Sequence, residues 1–130
     1  MHQEMRVAVD LDGVILDFDW DKWVKHGMNY FGETKEGAIG ALSVLQKCGY
    51  KIIIHTCRTN PEVNPKYSIE DLEILVRKTL TMRGIPFDEI WVKEGKPIAD
   101  YYIDDRAIRF ESWSQVMWFF DFMHANGLEE

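Results

Sequence analysis

Four short stretches of this sequence carry side chains suited to joint chemistry. Asp10-Leu-Asp-Gly-Val14 sets two carboxylates either side of one leucine and just before a glycine. Thr56 ends an apolar run, and Lys96 precedes a second acidic pair, Asp104-Asp105. Carboxylates gathered in one place repel each other unless a cation neutralises them. All-oxygen ligands of this kind suit Mg²⁺, which keeps several waters and takes one or two protein carboxylates directly. A lysine and a hydroxyl suit the oxygens of a phosphoryl group. Together these residue types point to phosphoryl chemistry with one carboxylate as nucleophile.

For that chemistry, residues far apart in the chain must meet. Residues 6–11 and 51–56 read as short buried strands, β-branched and ending in polar residues. Residues 88–92 and 101–104 read as two more. Helical spacing of Ala38, Ala41, Leu42 and Leu45 predicts a helix over 34–48, stopped at Gly49. Ser68, with Asp71 three residues on, caps a second helix that lines up Ile69, Leu72, Val76 and Leu80 and closes at Gly84. A last helix spans 112–125. Strands alternating with helices predict an α/β fold, a parallel sheet with helices on both faces. Ligands bind such sheets at the carboxyl ends of the strands. Asp10 and Asp12, Thr56, and Asp104 and Asp105 all fall there.

The four stretches, in this order, resemble the four motifs of the haloacid dehalogenase-like (HAD) hydrolase superfamily. Asp10-Leu-Asp-Gly-Val14 is similar to the first, residues 52–56 to the second, Lys96 to the third and Ile103-Asp-Asp105 to the fourth. The resemblance implies a three-layer Rossmann-like fold and a Mg²⁺-dependent phosphatase. Asp10 would attack phosphorus to form an aspartyl-phosphate, with Asp12 as the acid and then the base. Thr56 and Lys96 would hold the phosphoryl oxygens. The metal would take Asp10, Asp104 and the backbone carbonyl of Asp12, with Asp105 bound directly or through water. Members that act on carbon–halogen bonds lack an acid at the place of Asp12, so phosphate ester hydrolysis is favoured. Lys96 lies closer to Asp104 than in many relatives, and Lys93 is its substitute. The stretches after Gly13 and after Thr56 are too short for a cap domain. The site would be open, admitting a large phosphorylated substrate or being covered by a partner subunit. Phosphotransfer to another acceptor, or a receiver-like phospho-accepting domain, uses similar residues. A receiver, however, carries its acceptor Asp mid-chain, where this sequence has Thr56.

Composition bounds the rest. The 130 residues suit one domain, and 46% apolar content with five Trp, five Tyr and seven Phe excludes disorder. The longest apolar stretch, 116–123, is too short for a membrane span and contains Asp121. A net charge of −7 with scattered basic residues argues against nucleic acid. Cys48 and Cys57 form no CxxC pair, and no apolar leader precedes the first strand, so a cytoplasmic location is expected. Arg58 either binds substrate phosphate or sits in a surface loop, and Arg106 reads as a partner for a nearby carboxylate. Strand alternation turns His55 away from the site. Cys57 has no activating base and reads as a bystander. Phe18, Trp20, Trp23 and Phe31 read as a mobile flap or as packing on the body. The last helix is apolar on more than one face, which fits a homodimer contact or a deep core helix.

Overall fold

The computed structural model describes residues 4–127. Four parallel strands, β1 (Met5–Val9), β2 (Tyr50–Ile54), β3 (Glu89–Ile90) and β4 (Tyr101–Ile103), form one sheet in the order β3-β2-β1-β4. Helix α1 (Trp20–His26) and a 3-10 turn follow β1, then α2 (Ala38–Lys47) leads into β2. Helix α3 (Ile69–Met82) joins β2 to β3, and α4 (Trp113–Ala125) follows β4. The arrangement is α/β and Rossmann-like. Among the described residues, no helix is long and apolar enough to cross a membrane.

The central strands are short and apolar because both their faces are covered. Val7 and Val9 of β1 and Ile52 and Ile54 of β2 form one cluster with Leu42 of α2 and Val76 and Leu80 of α3. These two helices therefore share one face of the sheet. Successive right-handed crossovers that step the same way across a parallel sheet put their helices on the same side. The expected second helical layer is weaker than the sequence suggests: α4 buries no residue.

Element ends differ from the periodicity for local reasons. Strand β1 stops at Val9 because the carbonyl of Leu11 accepts the amides of Val14, Ile15 and Leu16 in a tight turn. Helix α2 starts at Ala38, not 34, because residues 33–35 pair with the loop after β1. Asp17 N donates to Glu33 O, and Lys35 N to Ile15 O. Strand β4 is fixed beside β1 by a two-way clamp, in which the Arg6 amide donates to the Asp100 carboxylate and the Asp100 amide to Arg6 O, each at 2.8 Å.

Helix α3 is capped as expected, Ser68 Oγ accepting from Asp71 N at 3.1 Å. Its inner face is narrower than the spacing implies: Leu72 is fully buried, and Ile69 is 41% exposed. Leu72→Ala should cost about 2–5 kcal/mol through the cavity it leaves, and Ile69→Ala about 1 kcal/mol or less. Urea unfolding of the two variants checks the contrast.

Candidate functional site

The carboxyl ends of β1, β2 and β4 open into a cleft of about 990 Å³. Asp10 follows β1, and its amide donates to Ile103 O at the end of β4 (3.0 Å), so the ends of the two strands are tied together. Oxygens of Asp10, Asp104 and Asp105 come within 4.8 Å of one another. Gly13 makes this approach possible. It has φ +89°, and a Cβ there would collide with the Asp105 carboxylate. Gly13 thus leaves space for the Asp105 carboxylate.

Asp10 accepts the Leu11 amide at Oδ1 (2.8 Å). Partial burial, opposed by that hydrogen bond and reinforced by the charges of Asp104, Asp105 and Asp12, raises its pKa to about 6. An all-carboxylate set whose central member resists ionisation fits a hard divalent cation. Such an ion supplies the missing positive charge and accepts oxygen ligands.

Asp12 stands apart from this triad. Arg58 binds both its oxygens, Nε to Oδ2 at 2.7 Å and Nη2 to Oδ1 at 3.0 Å. Arg58 is not a surface arginine: it is fully buried. Its guanidinium lies 4.9 Å from the Trp23 ring centroid and 4.1 Å from that of Phe31, and Nη2 also donates to Tyr30 O. Read from the sequence as a phosphate binder or a surface-loop residue, Arg58 directs Nε and Nη2 to Asp12 and the Tyr30 carbonyl. The aromatic segment after β1 packs on it, which favours the packing reading over the flap for Trp23 and Phe31. Phe18 joins them through ring contacts with Trp23 (6.2 Å) and Tyr30 (6.0 Å). Trp20 alone stays largely open, 65% exposed on the cleft wall.

Thr56 is buried beside the acids and lines the cleft. Its Oγ1 accepts the Arg58 amide at 3.2 Å, capping a 3-10 turn. Lys93 lines the cleft. The Lys96 ammonium sits 3.9 Å from the centroid of the Tyr102 ring and does not line it. Arg106 lines the cleft too, and its amide, not its side chain, meets a carboxylate, Asp104 Oδ1 at 2.6 Å.

His55 is a correction. Alternation turned it away, yet it lines the cleft. Strand β2 ends at Ile54, so the two-residue period no longer governs the next side chain. Burial, helped by Lys96 and opposed by Asp104, lowers its pKa, favouring the neutral imidazole. Cys57 also lines the cleft, where burial and the charges of Asp12 and Asp10 push its thiol up. That disfavours a thiolate and fits the bystander reading.

No family model matches the chain, and no curated protein matches it. Solved structures do. A conserved protein from Bacteroides thetaiotaomicron is 22% identical over 98% of this chain and 100% of its own, with a TM-score of 0.55. A structural-genomics target from Vibrio cholerae is 23% identical over 90% of this chain and 97% of its own, with a TM-score of 0.51. These likenesses show a shared fold.

Two outcomes follow from the electrostatics. A folded pKa of about 6 against an ordinary 3.8 means that ionised Asp10 opposes folding. The contribution of Asp10 to the stability of the metal-free protein therefore falls as pH rises from 3.8 to about 6 and levels off above that. Asp10→Asn should stabilise the metal-free chain at pH 8 by on the order of 1 kcal/mol after allowance for solvent screening, a gain lost at the acid end. Thermal melts in chelator across pH check this. Arg58→Met leaves Asp12 without its partner and should cost about 3–5 kcal/mol, read by urea unfolding.

Proposed function

We propose that this chain is a Mg²⁺-dependent phosphatase of the HAD-like type, without a cap domain, hydrolysing a phosphate monoester through an aspartyl-phosphate on Asp10. The observation that carries the reading is the meeting of Asp10, Asp104 and Asp105 oxygens within 4.8 Å at the ends of two neighbouring parallel strands. Asp10, Asp104, the Asp12 backbone carbonyl and Asp105 would hold the metal, which when bound neutralises charge on the carboxylates and the phosphoryl oxygens.

An Asp10 oxygen attacks phosphorus, and the bond to the ester oxygen breaks. The departing oxygen takes a proton from Asp12. A water then attacks the same phosphorus and gives its proton to Asp12. The bond from phosphorus to Asp10 breaks and releases inorganic phosphate. Both Asp12 oxygens accept from Arg58 in the resting geometry. Each oxygen keeps a further lone pair, which gives and takes the proton in the two steps. Thr56 and a lysine bind the phosphoryl oxygens. Lys93 lines the cleft, and Lys96, whose ammonium rests over the Tyr102 ring, is the alternative. An open cleft with the Trp20 ring on its wall suits a phosphate carried on a large leaving group. Both cysteines are free thiols, in keeping with a cytoplasmic setting.

Hydrolysis of p-nitrophenyl phosphate tests the reading. Activity should require Mg²⁺, vanish with chelator, return when Mg²⁺ is restored and fall to background in Asp10→Asn. Turnover that survives Asp10→Asn would overturn the assignment of the nucleophile. Comparing Lys93→Met with Lys96→Met identifies the phosphate-binding lysine: its loss should cost about 100-fold in kcat/KM, as for a lost transition-state donor, and loss of the other should be nearly silent.

A further inference from the structure

We infer that the phosphate accepted by this site is carried on a flat aromatic leaving group, and that Trp20 selects that group by stacking on it. The inference deepens the catalytic reading and rests on it in one respect. Asp12 protonates the departing oxygen, so the leaving group lies on the Asp12 side of the cleft. A row of aromatic rings starts there. Arg58, which holds Asp12 through Nε at 2.7 Å, has its guanidinium 4.9 Å from the Trp23 ring centroid. The Trp23 and Phe18 centroids are 6.2 Å apart, and those of Phe18 and Trp20 are 6.5 Å apart. Exposure rises along the row. Arg58 is fully buried, Trp23 and Phe18 are half-buried, and Trp20 is 65% exposed. Asp12, Trp23, Phe18 and Trp20 all line the cleft.

A single exposed aromatic residue is common on protein surfaces. Trp20 differs by its place, because its open ring ends a row that begins beside the proton donor. An indole in contact with water gains when a planar group stacks on it. At about 990 Å³, the cleft has room for such a group beside the phosphate. Val63 and Ile69, 44% and 41% exposed, also line it and add apolar surface. The charged lining argues against a second phosphate on the leaving group. Beyond the four acids of the site, Glu62 and Glu94 stand against Lys93 and Arg106, which leaves no surplus of positive charge among the described residues. A sugar also stacks on indole, but its hydroxyls need partners. Thr59 Oγ1 is turned to the carbonyls of Thr56 and Trp91, at 3.0 and 3.1 Å, and Asn60 Oδ1 accepts the Glu62 amide at 2.9 Å.

Phosphonates test the inference without turnover, since carbon stands in place of the ester oxygen and its bond to phosphorus is not hydrolysed. With Mg²⁺ present, calorimetry on the full chain should show (1-naphthylmethyl)phosphonate binding about 10–100-fold tighter than methylphosphonate, as for one stacked base. The cyclohexylmethyl analogue, apolar but not flat, should gain only a few-fold. Trp20→Ala should cut the naphthyl preference to a few-fold and leave the affinity for methylphosphonate unchanged, and Trp20→Phe should keep most of the preference. The comparison of ligands on the unmodified chain stands whether or not the variants fold. Equal affinity for all three ligands overturns the inference, as does a cyclohexyl analogue that binds as tightly as the naphthyl one or a preference that survives Trp20→Ala. Binding of none of them also overturns it, and turnover of p-nitrophenyl phosphate then decides the catalytic reading by itself. An aromatic preference that is lost in Trp20→Ala sustains the inference even where no ester is hydrolysed.

Discussion

Like charge held close together is the constraint around which this molecule is built. Three carboxylates from two strands lie within 4.8 Å of one another, an arrangement that electrostatics alone would disperse. The backbone keeps them together. The clamp between Arg6 and Asp100 holds β4 beside β1 at one end, and the Asp10 amide on Ile103 O holds it at the other. Gly13, lacking a side chain, leaves room for the Asp105 carboxylate. Burial then raises the pKa of Asp10, so part of the repulsion is relieved by proton uptake at moderately acidic pH.

The fourth acid of the site is handled differently. Asp12 is neutralised by a buried arginine that rises from the turn after β2 and stacks on Trp23 and Phe31. The placement of Phe31 rests in turn on Arg83 at the end of α3, which donates to the carbonyls of Phe31 and Gly32. A single chain of contacts therefore runs from α3 through the segment after β1 to a carboxylate in the cleft. The charge on Arg58 is shared between an ion pair and two ring faces. Nε and Nη2 are hydrogen-bonded, whereas Nη1 is buried with no hydrogen-bond partner among the described residues.

The parallel sheet, the Ser68 cap and the convergence of Asp10, Thr56, Asp104 and Asp105 on one cleft were legible in the residues. All depend on local pattern or on the rule that strand ends meet. What was hidden depends on contacts between distant segments. Arg58 read as a phosphate binder or a surface-loop residue because its partner, Asp12, lies 46 positions away. His55 was misplaced because a period-two argument was carried one residue past the end of its strand. The start of α2 shifted because residues 33–35 found backbone partners in the loop after β1. The openness of α4 had no signature: an apolar helix reads the same whether its cover comes from its own chain or from another.

The clamp that joins Arg6 to Asp100 spans 94 positions, and this gives assembly a direction. Strands β1 and β2, with α2 and α3, supply most of the apolar cluster from residues that precede Asp104 and Asp105 in the chain. The costly step of crowding carboxylates together then comes after a core that can bear it. A nascent chain stopped before residue 100 would hold Asp10 and Asp12 at the end of a folded strand with no second acidic pair beside them.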